Sequence, residues 1–120
     1  MSKQTVYLAV DFTINENQLN AFEQIAQEMV VGTQNEPGAL AYEWYLSGDR
    51  KKGRLIETYA DANALLAHFN GPVVQELVPK LLGIASVTGF EVCGDPGSKM
   101  REVLAPFGAE IFNFQSGLNR

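Results

Sequence analysis

The chain has 120 residues, of which 46% are hydrophobic and 19% charged, and this is the length and composition of one folded domain. Its formal net charge of -5 at pH 7 excludes an overall positive field, so we expect neither nucleic acid nor a membrane surface as a partner. Cys93 is the only cysteine, which excludes an intrachain disulfide and paired-cysteine metal sites. We therefore expect a cytoplasmic protein with no metal.

The chain begins with a strand pattern followed by a helix pattern. Residues 5–13 alternate apolar and other side chains with a period of two and are rich in β-branched and aromatic residues, which predicts a strand. Residues 16–31 carry apolar residues at helical spacing and predict a helix. Asn15 is the predicted N-cap of this helix, and Gly32 is the residue expected to end it.

Two further strand patterns follow and are joined by a charged tip. Residues 39–47 and 53–60 predict strands that pair as a hairpin. The basic tip at residues 49–54 is interpreted as a solvated loop rather than an anion site. In the first of these strands, alternation places four large side chains on one face: Leu40, Tyr42, Trp44 and Leu46.

The second helical region divides into two pieces and leads into a fourth strand. Asp61 is a good N-cap for the first piece, and Pro72 suits the first position of the second. Pro79 is expected to end or kink that second piece. Residues 84–93 predict the fourth strand, in which Gly89 marks a bulge.

The order strand, helix, strand, strand, helix, strand predicts an α+β fold. With short connections it gives the ferredoxin-like βαββαβ arrangement, an antiparallel sheet with both helices on one face. After it, residues 99–105 predict a short helix and residues 109–115 a short fifth strand.

The sheet face opposite the helices is expected to be apolar. The residues that alternation assigns to it are mostly aromatic or aliphatic, and exposed surface of this kind marks a partner interface. We therefore expect a homodimer in which two sheets pack face to face. The residues concerned are Tyr7, Ala9 and Tyr45, together with either Ile56 or Leu55 and Tyr59.

Two stretches of the chain resemble a known family. The segments "EPGALAYEWY" (residues 36–45) and "RLIETYADANALLAHFNGP" (residues 54–72), in the βαββαβ order, resemble the antibiotic biosynthesis monooxygenases and their quinol monooxygenase-like branch. The resemblance spans residues 4–93. It implies a domain over residues 1–94 and an extension of the same domain over residues 95–120.

The resemblance implies an activity as well as a fold. Such proteins are dimeric α/β-barrels with a pocket between helices and sheet, and members of known activity oxidise quinols or aromatic polyketides with dioxygen and without flavin, haem or metal. A cofactor-independent monooxygenase acting on a quinol or hydroxyaromatic is therefore expected. The alternative is a small-metabolite binding protein or isomerase that uses the same pocket without oxygenase activity.

A helix motif of the branch is matched in part. The motif Ala-His followed by Pro-His is represented by Ala67, His68 and Pro72, but Val73 stands at the second histidine position, which removes two-histidine chemistry. Haem-degrading members are similar in fold but use an axial histidine in this helical region and an asparagine in the first strand. Neither residue is present, so haem cleavage is not expected.

His68 and Glu57 are the candidate catalytic residues. His68 is the only histidine, and an imidazole at the edge of a buried helix face can accept a phenolic proton. The alternative is a structural histidine bonded to a backbone carbonyl. Glu57 lies in a strand, where a carboxylate needs a partner such as Arg54 or His68. It is interpreted either as half of a structural ion pair or as a proton acceptor that orients His68.

Four aromatic residues are the candidate substrate-binding residues. Trp44 and Tyr42 offer a flat wall with an indole N–H and a phenol O–H, although both also suit core packing. Phe22 is interpreted mainly as a core residue with a share of the pocket wall. Phe69 follows His68 directly.

Overall fold

The computed structural model describes residues 4–120; residues 1–3, with which the predicted domain begins, lie outside the described residues. The strands and helices follow the predicted order: β1 (Val6–Ile14), α1 (Leu19–Thr33), β2 (Ala39–Leu46), β3 (Lys52–Tyr59), α2 (Ala62–Asn70), α3 (Val78–Leu82), β4 (Ala85–Cys93), α4 (Gly97–Leu104) and β5 (Glu110–Phe112). A π-helical turn (Val73–Leu77) precedes α3, and a 3₁₀ turn (Ala105–Phe107) follows α4.

The strands form one sheet in the order β2-β3-β1-β4-β5. The first four strands are antiparallel to their neighbours, and β5 adds to the edge of β4 in parallel. The predicted α+β, ferredoxin-like fold is therefore confirmed, with one parallel strand added at the end of the chain.

The core lies between the helices and the inner face of the sheet. Every second residue of β1 from Val6 to Phe12 is buried, as the period-two pattern predicts. On β3, Leu55 and Tyr59 are buried while Ile56 is 37% exposed, so Ile56 is the β3 residue on the outer face. The inner face of β3 therefore also carries Glu57.

The first helix begins and ends later than predicted. The Gln18 N–H donates to the carbonyl of Asn15 at 3.1 Å in a turn where Asn17 has a φ of 63°, and α1 starts only at Leu19. Asparagine adopts this left-handed conformation more readily than most residues. Gly32 lies within the helix, where a Cβ would stand 2.5 Å from Cγ2 of Val73, so it permits close packing rather than ending α1.

Two bulges alter which residues face the core. Leu40 is an extra residue in β2 and is 60% exposed, so it does not share the inner face with Tyr42 and Trp44 as predicted. In β4 the predicted bulge is present, but the residue without a partner on β1 is Thr88, next to Gly89.

The second helical region continues past Pro79 and ends at Leu82. Pro79 lies in the first turn of α3, where a missing N–H leaves no hydrogen bond unmade, so it does not end the helix. Asp61 caps α2 as predicted, accepting a 2.8 Å hydrogen bond from the Ala64 N–H. Within residues 4–120, no helix has the length and hydrophobicity needed to cross a bilayer.

Candidate active site

A cavity of about 310 Å³ lies between the inner face of the sheet and the helices. Its walls are mostly apolar: Val10 and Leu55 come from the sheet, Leu66 from α2, Val78 from α3 and Met100 from α4. Its volume is at the lower end of the range typical of small-molecule sites. The cavity therefore suits a small ligand with an apolar body.

The buried end of this cavity is polar. Glu57 and His68 both line it and are only 4% and 1% exposed. The Tyr59 hydroxyl, from the same strand face as Glu57, donates a 2.5 Å hydrogen bond to Oε1 of Glu57. A buried carboxyl, an imidazole and a phenol therefore lie together behind the apolar walls.

His68 bridges two carboxylates. Its Nδ1 lies 2.7 Å from Oε1 of Glu36, and its Nε2 lies 3.8 Å from Oε1 of Glu57. Because a carboxylate only accepts hydrogen bonds, the Nδ1–H donates to Glu36. In the neutral ring this leaves the Nε2 lone pair facing Glu57, ready to accept a proton. The ring is held between Tyr42 and Tyr59, with ring centroids 5.5 and 5.3 Å away.

The loop between α1 and β2 brings Glu36 to His68. Gly38 lies so close to α2 that a Cβ there would be 2.5 Å from Cβ of Ala64. The Ala39 N–H closes the turn on the carbonyl of Glu36 at 3.1 Å. Since only glycine permits this approach, the turn "EPG" both ends the connection and places a carboxylate beside the histidine. The Glu36 side chain stays 22% exposed.

The environment shifts the proton affinities of this cluster. Burial, assisted by the charge of Glu36, raises the pKa of Glu57 to about 7, and the hydrogen bond from Tyr59 opposes that rise. Burial lowers the pKa of His68, while Glu36 opposes this change. Burial also raises the pKa of Tyr42 and of Tyr59, so both phenols remain protonated at neutral pH. The cluster can exchange protons with a bound molecule near pH 7.

Tyr42 presents an unused hydrogen-bonding group to the cavity. Its hydroxyl is buried and lacks a well-aligned partner among residues 4–120, and so does the hydroxyl of Thr33 beside it. A buried polar group without a partner costs about 1–3 kcal/mol. An oxygen atom of a bound ligand would supply the missing partner.

The structure brings four of the six predicted site residues to one cavity. Glu57, His68, Tyr42 and Phe69 line it. Arg54, the other partner considered for Glu57, instead pairs with Asp11 at 2.6 Å on the outer face.

Phe22 and Trp44 lie outside this cavity. They pack together with Phe12 in an aromatic cluster, with ring centroids 5.5 to 5.9 Å apart. Phe22 is 1% exposed, in agreement with its interpretation as a core residue. Trp44 contacts the cavity residue Tyr42 edge to face, with the centroids 6.2 Å apart, so both residues support the wall from behind.

Sequence reasoning missed two members of the polar cluster. The sequence assigns Glu36 no role, because nothing in its neighbourhood predicts that its loop folds against α2. The sequence also leaves open which face of the sheet carries Tyr59. Its signal is its position two residues after Glu57, which places both side chains on one face of β3.

The C-terminal segment forms part of the same site. Met100 and Leu104 of α4 belong to the common core, being 1% and 0% exposed. Met100, Val103 and Phe107 also line the cavity. The outer wall of the cavity is thus built by residues beyond β4.

Sequence comparison assigns the chain to a family. Residues 5–80 match the sequence profile described as antibiotic biosynthesis monooxygenase. The chain belongs to this family. The matched region includes Glu36, Glu57 and His68 but ends before α4. A comparison with curated proteins finds no match.

Solved structures share the fold of this chain. MupZ from Pseudomonas fluorescens is similar over 98% of this chain and 95% of its own, with 29% identity and a TM-score of 0.86. SnoaB from Streptomyces nogalater, described as a cofactor-independent oxygenase, is similar over 79% and 96% of the two chains, with 14% identity and a TM-score of 0.68. Rv0793 from Mycobacterium tuberculosis covers 76% of this chain and 94% of its own, with 22% identity and a TM-score of 0.66.

Proposed function

We propose that this protein oxidises an apolar quinol or hydroxyaromatic with dioxygen and without a cofactor. The observation that carries the proposal is the pairing of Glu57 and His68 at the buried end of an apolar cavity. Membership of the antibiotic biosynthesis monooxygenase family supports an oxygenase-like role. The fold that the chain shares with SnoaB, described as a cofactor-independent oxygenase, supports the absence of a cofactor.

The first step is proton transfer in a site that excludes water. The substrate hydroxyl accepts a hydrogen bond from Tyr42 and its ring packs against Phe69 and the aliphatic walls. Glu57 accepts the substrate proton, directly or through Nε2 of His68. A positioned base whose pKa lies near the working pH accelerates such a step about 10²- to 10⁴-fold. Phe22 and Trp44 contribute by fixing the position of Tyr42.

The second step uses the electrons of the substrate itself. The substrate anion gives one electron to dioxygen, and the resulting radical and superoxide combine to form a carbon–oxygen bond. The peroxide anion takes back the proton from Glu57 or His68, and the hydroperoxide then loses water as its O–O bond breaks and the hydrogen of the same ring carbon leaves as a proton. One oxygen atom remains on the ring carbon as a carbonyl, the other leaves as water, and no external reductant is consumed.

We propose that two copies of the chain assemble into a dimer. Tyr45 and Ile56 are 51% and 37% exposed on the outer sheet face, which supports pairing of two copies through that face.

We also propose that residues 95–120 are an extension of the domain formed by residues 1–94. Met100 and Leu104 pack into the common core, which supports this division.

A second candidate function is an acid–base reaction without oxygen, such as the isomerisation of a small metabolite. One observation favours it: the carboxyl of Glu57, with a pKa of about 7, can act as acid and as base on any molecule that fills the cavity. Most of the cavity wall is aliphatic, and Trp44 does not line it, so stacking on a planar ring is not required.

Oxygen uptake separates the two candidates. Uptake is measured with menadiol-type quinols and hydroxyaromatics, corrected for autoxidation, for the wild type, Glu57→Gln and His68→Gln. The matched control is Glu28→Gln, which changes an exposed glutamate of α1 that does not line the cavity. We expect uptake by the wild type and the control and a loss of about 10²- to 10⁴-fold in the two site variants.

A wild-type rate no faster than autoxidation would reject the oxygenase for this substrate class. The same compounds are then incubated in deuterated water without oxygen, and proton exchange or isomerisation is followed by NMR. Exchange that depends on Glu57 but not on oxygen would support the second candidate.

A further inference from the structure

The two ends of the cavity differ in their chemistry. The buried end holds Glu57 and His68, whereas the mouth is bordered by the exposed residues Asn70, Gln75 and Lys99. Apart from Tyr42, the wall between them is apolar. A molecule that fills this space therefore has an apolar body with one polar group at each end.

Among residues 4–120, Lys99 is the one lysine or arginine that lines the cavity. It lies in α4, next to the buried Met100, and within the described residues its ammonium group forms no ion pair. The aliphatic stem of a lysine can cover an apolar rim while the ammonium group stays in water. Of the other two exposed polar residues that line the cavity, Asn70 forms no side-chain hydrogen bond within residues 4–120, whereas the Gln75 amide donates to the carbonyl of Phe69 at 2.8 Å.

The surrounding charges determine what this lysine can select. The chain has a net charge of -5, and the inner end of the cavity carries the carboxyl group of Glu57, so among the described lining residues Lys99 is the one that favours an anion. A single lysine suits a monoanionic carboxylate. Phosphate groups are more often held by several cations or by the fork of an arginine.

We propose that the substrate is a small amphipathic carboxylic acid whose carboxylate binds Lys99 at the mouth of the cavity. Its apolar body extends along the walls formed by α3 and α4, and its opposite end meets Glu57 and His68. The orientation of the reacting end rests on the proposed function; the carboxylate site does not. Lys99 lies outside the region that matches the family profile, so the site would distinguish this chain from members that lack the extension.

The test compares two ligands of nearly the same shape, of which only one carries a negative charge. Binding of a hydroxynaphthoate and of its carboxamide is measured by calorimetry near pH 8 for the wild type, Lys99→Met and Lys99→Glu. Lys99→Met keeps most of the aliphatic stem and removes the charge. The matched control is Lys80→Met, which changes an exposed lysine of α3 that does not line the cavity.

We expect the wild type and Lys80→Met to bind the carboxylate about 5- to 10-fold more tightly than the carboxamide, with a difference that shrinks as salt is added. Lys99→Met should abolish the preference without weakening carboxamide binding, and Lys99→Glu should reverse it.

Equal affinities in the wild type, a preference that survives in Lys99→Met, or no binding of the carboxylate in the millimolar range would each overturn the proposal. These binding measurements need no turnover, so they can be interpreted even if the oxygenase assay detects no activity. Conversely, oxygen uptake with neutral quinols in the absence of any carboxylate preference would reject the carboxylate site alone.

Discussion

Nδ1 of His68 lies 2.7 Å from Oε1 of Glu36, although 32 residues separate the two in the chain. The contact fixes the tautomer of the imidazole, because the proton on Nδ1 is held by Glu36 and the lone pair on Nε2 faces Glu57. Glu36 is also partly exposed, so it links the buried cluster to solvent. Protons can therefore pass between Glu57 and bulk water through His68 and Glu36.

Removing the charge of Glu36 should slow proton transfer through His68 without preventing substrate binding. We expect Glu36→Gln to lower kcat/KM about 10- to 100-fold, the effect of losing a hydrogen bond to a charged group worth about 1.5–3 kcal/mol. The control Glu28→Gln changes an exposed glutamate of α1. Steady-state kinetics of both variants provide the measurement. Unchanged kinetics in Glu36→Gln would show that His68 needs no carboxylate at Nδ1.

The rate should depend on the ionisation of Glu57. With a pKa of about 7 in the folded protein, the basic form of Glu57 becomes populated as the pH rises through neutrality, so kcat/KM should increase with pH and level off above about pH 8. A profile of kcat/KM from about pH 5 to pH 9 measures this rise, which is the acid limb of the profile. In Glu57→Gln the limb should disappear together with most of the activity, and its persistence would assign it to another group.

Two conservative variants should move that limb in opposite directions. Tyr59→Phe removes the hydrogen bond that lowers the pKa of Glu57, so the limb should move to higher pH, by about one to two units. Glu36→Gln removes a negative charge that raises the same pKa, so the limb should move to lower pH, by less than one unit. Shifts of the same sign in both variants would contradict this electrostatic account.

Much of this arrangement follows from simple patterns in the sequence. The alternation of β1 buries the face that begins with Val6, as expected. Asp61 caps α2 because its side chain is short and accepts a hydrogen bond from the third residue of the helix. The position of His68 and Phe69 on the buried side of α2 follows from the same helical periodicity. Local rules therefore give the elements and two of the lining residues.

The remaining features depend on contacts between distant segments. The bulge at Leu40 exposes a residue that strict alternation would bury, and only the pairing of β2 with β3 reveals it. Trp44 keeps its predicted face but turns toward Phe12 and Phe22 instead of the cavity. Glu36 reaches His68 only because Gly38 lets its loop approach α2. None of these outcomes is encoded by spacing along one element.

The free energy of unfolding should also depend on the ionisation of the buried carboxyl of Glu57. An unfolded glutamate loses its proton near pH 4.5 and the folded Glu57 near 7, so between these values the folded state binds more protons and the free energy of unfolding falls as pH rises. The loss should be about 3 kcal/mol and complete above about pH 8. His68 acts in the opposite sense below pH 6.5, since its lowered pKa makes the folded state release a proton.

Comparison with Glu57→Gln isolates this contribution, because the variant keeps His68. Urea unfolding of both proteins at about pH 5 and pH 8 gives the two free-energy differences. The wild type should lose about 3 kcal/mol more than the variant on going to the higher pH. An equal change in both proteins would mean that Glu57 is not the group responsible.

The outer sheet face is the proposed dimer interface. Ile56 lies on that face, 37% exposed, so a charge placed there would be buried if two sheets pack together. Because burying an unpaired charge costs several kcal/mol, Ile56→Asp should weaken dimerisation by about 100-fold or more and yield monomers in light scattering at micromolar concentration. Val31→Asp, at a 63% exposed position on α1, should leave the dimer intact. A wild-type monomer, or a dimer unaffected by Ile56→Asp, would place any interface elsewhere.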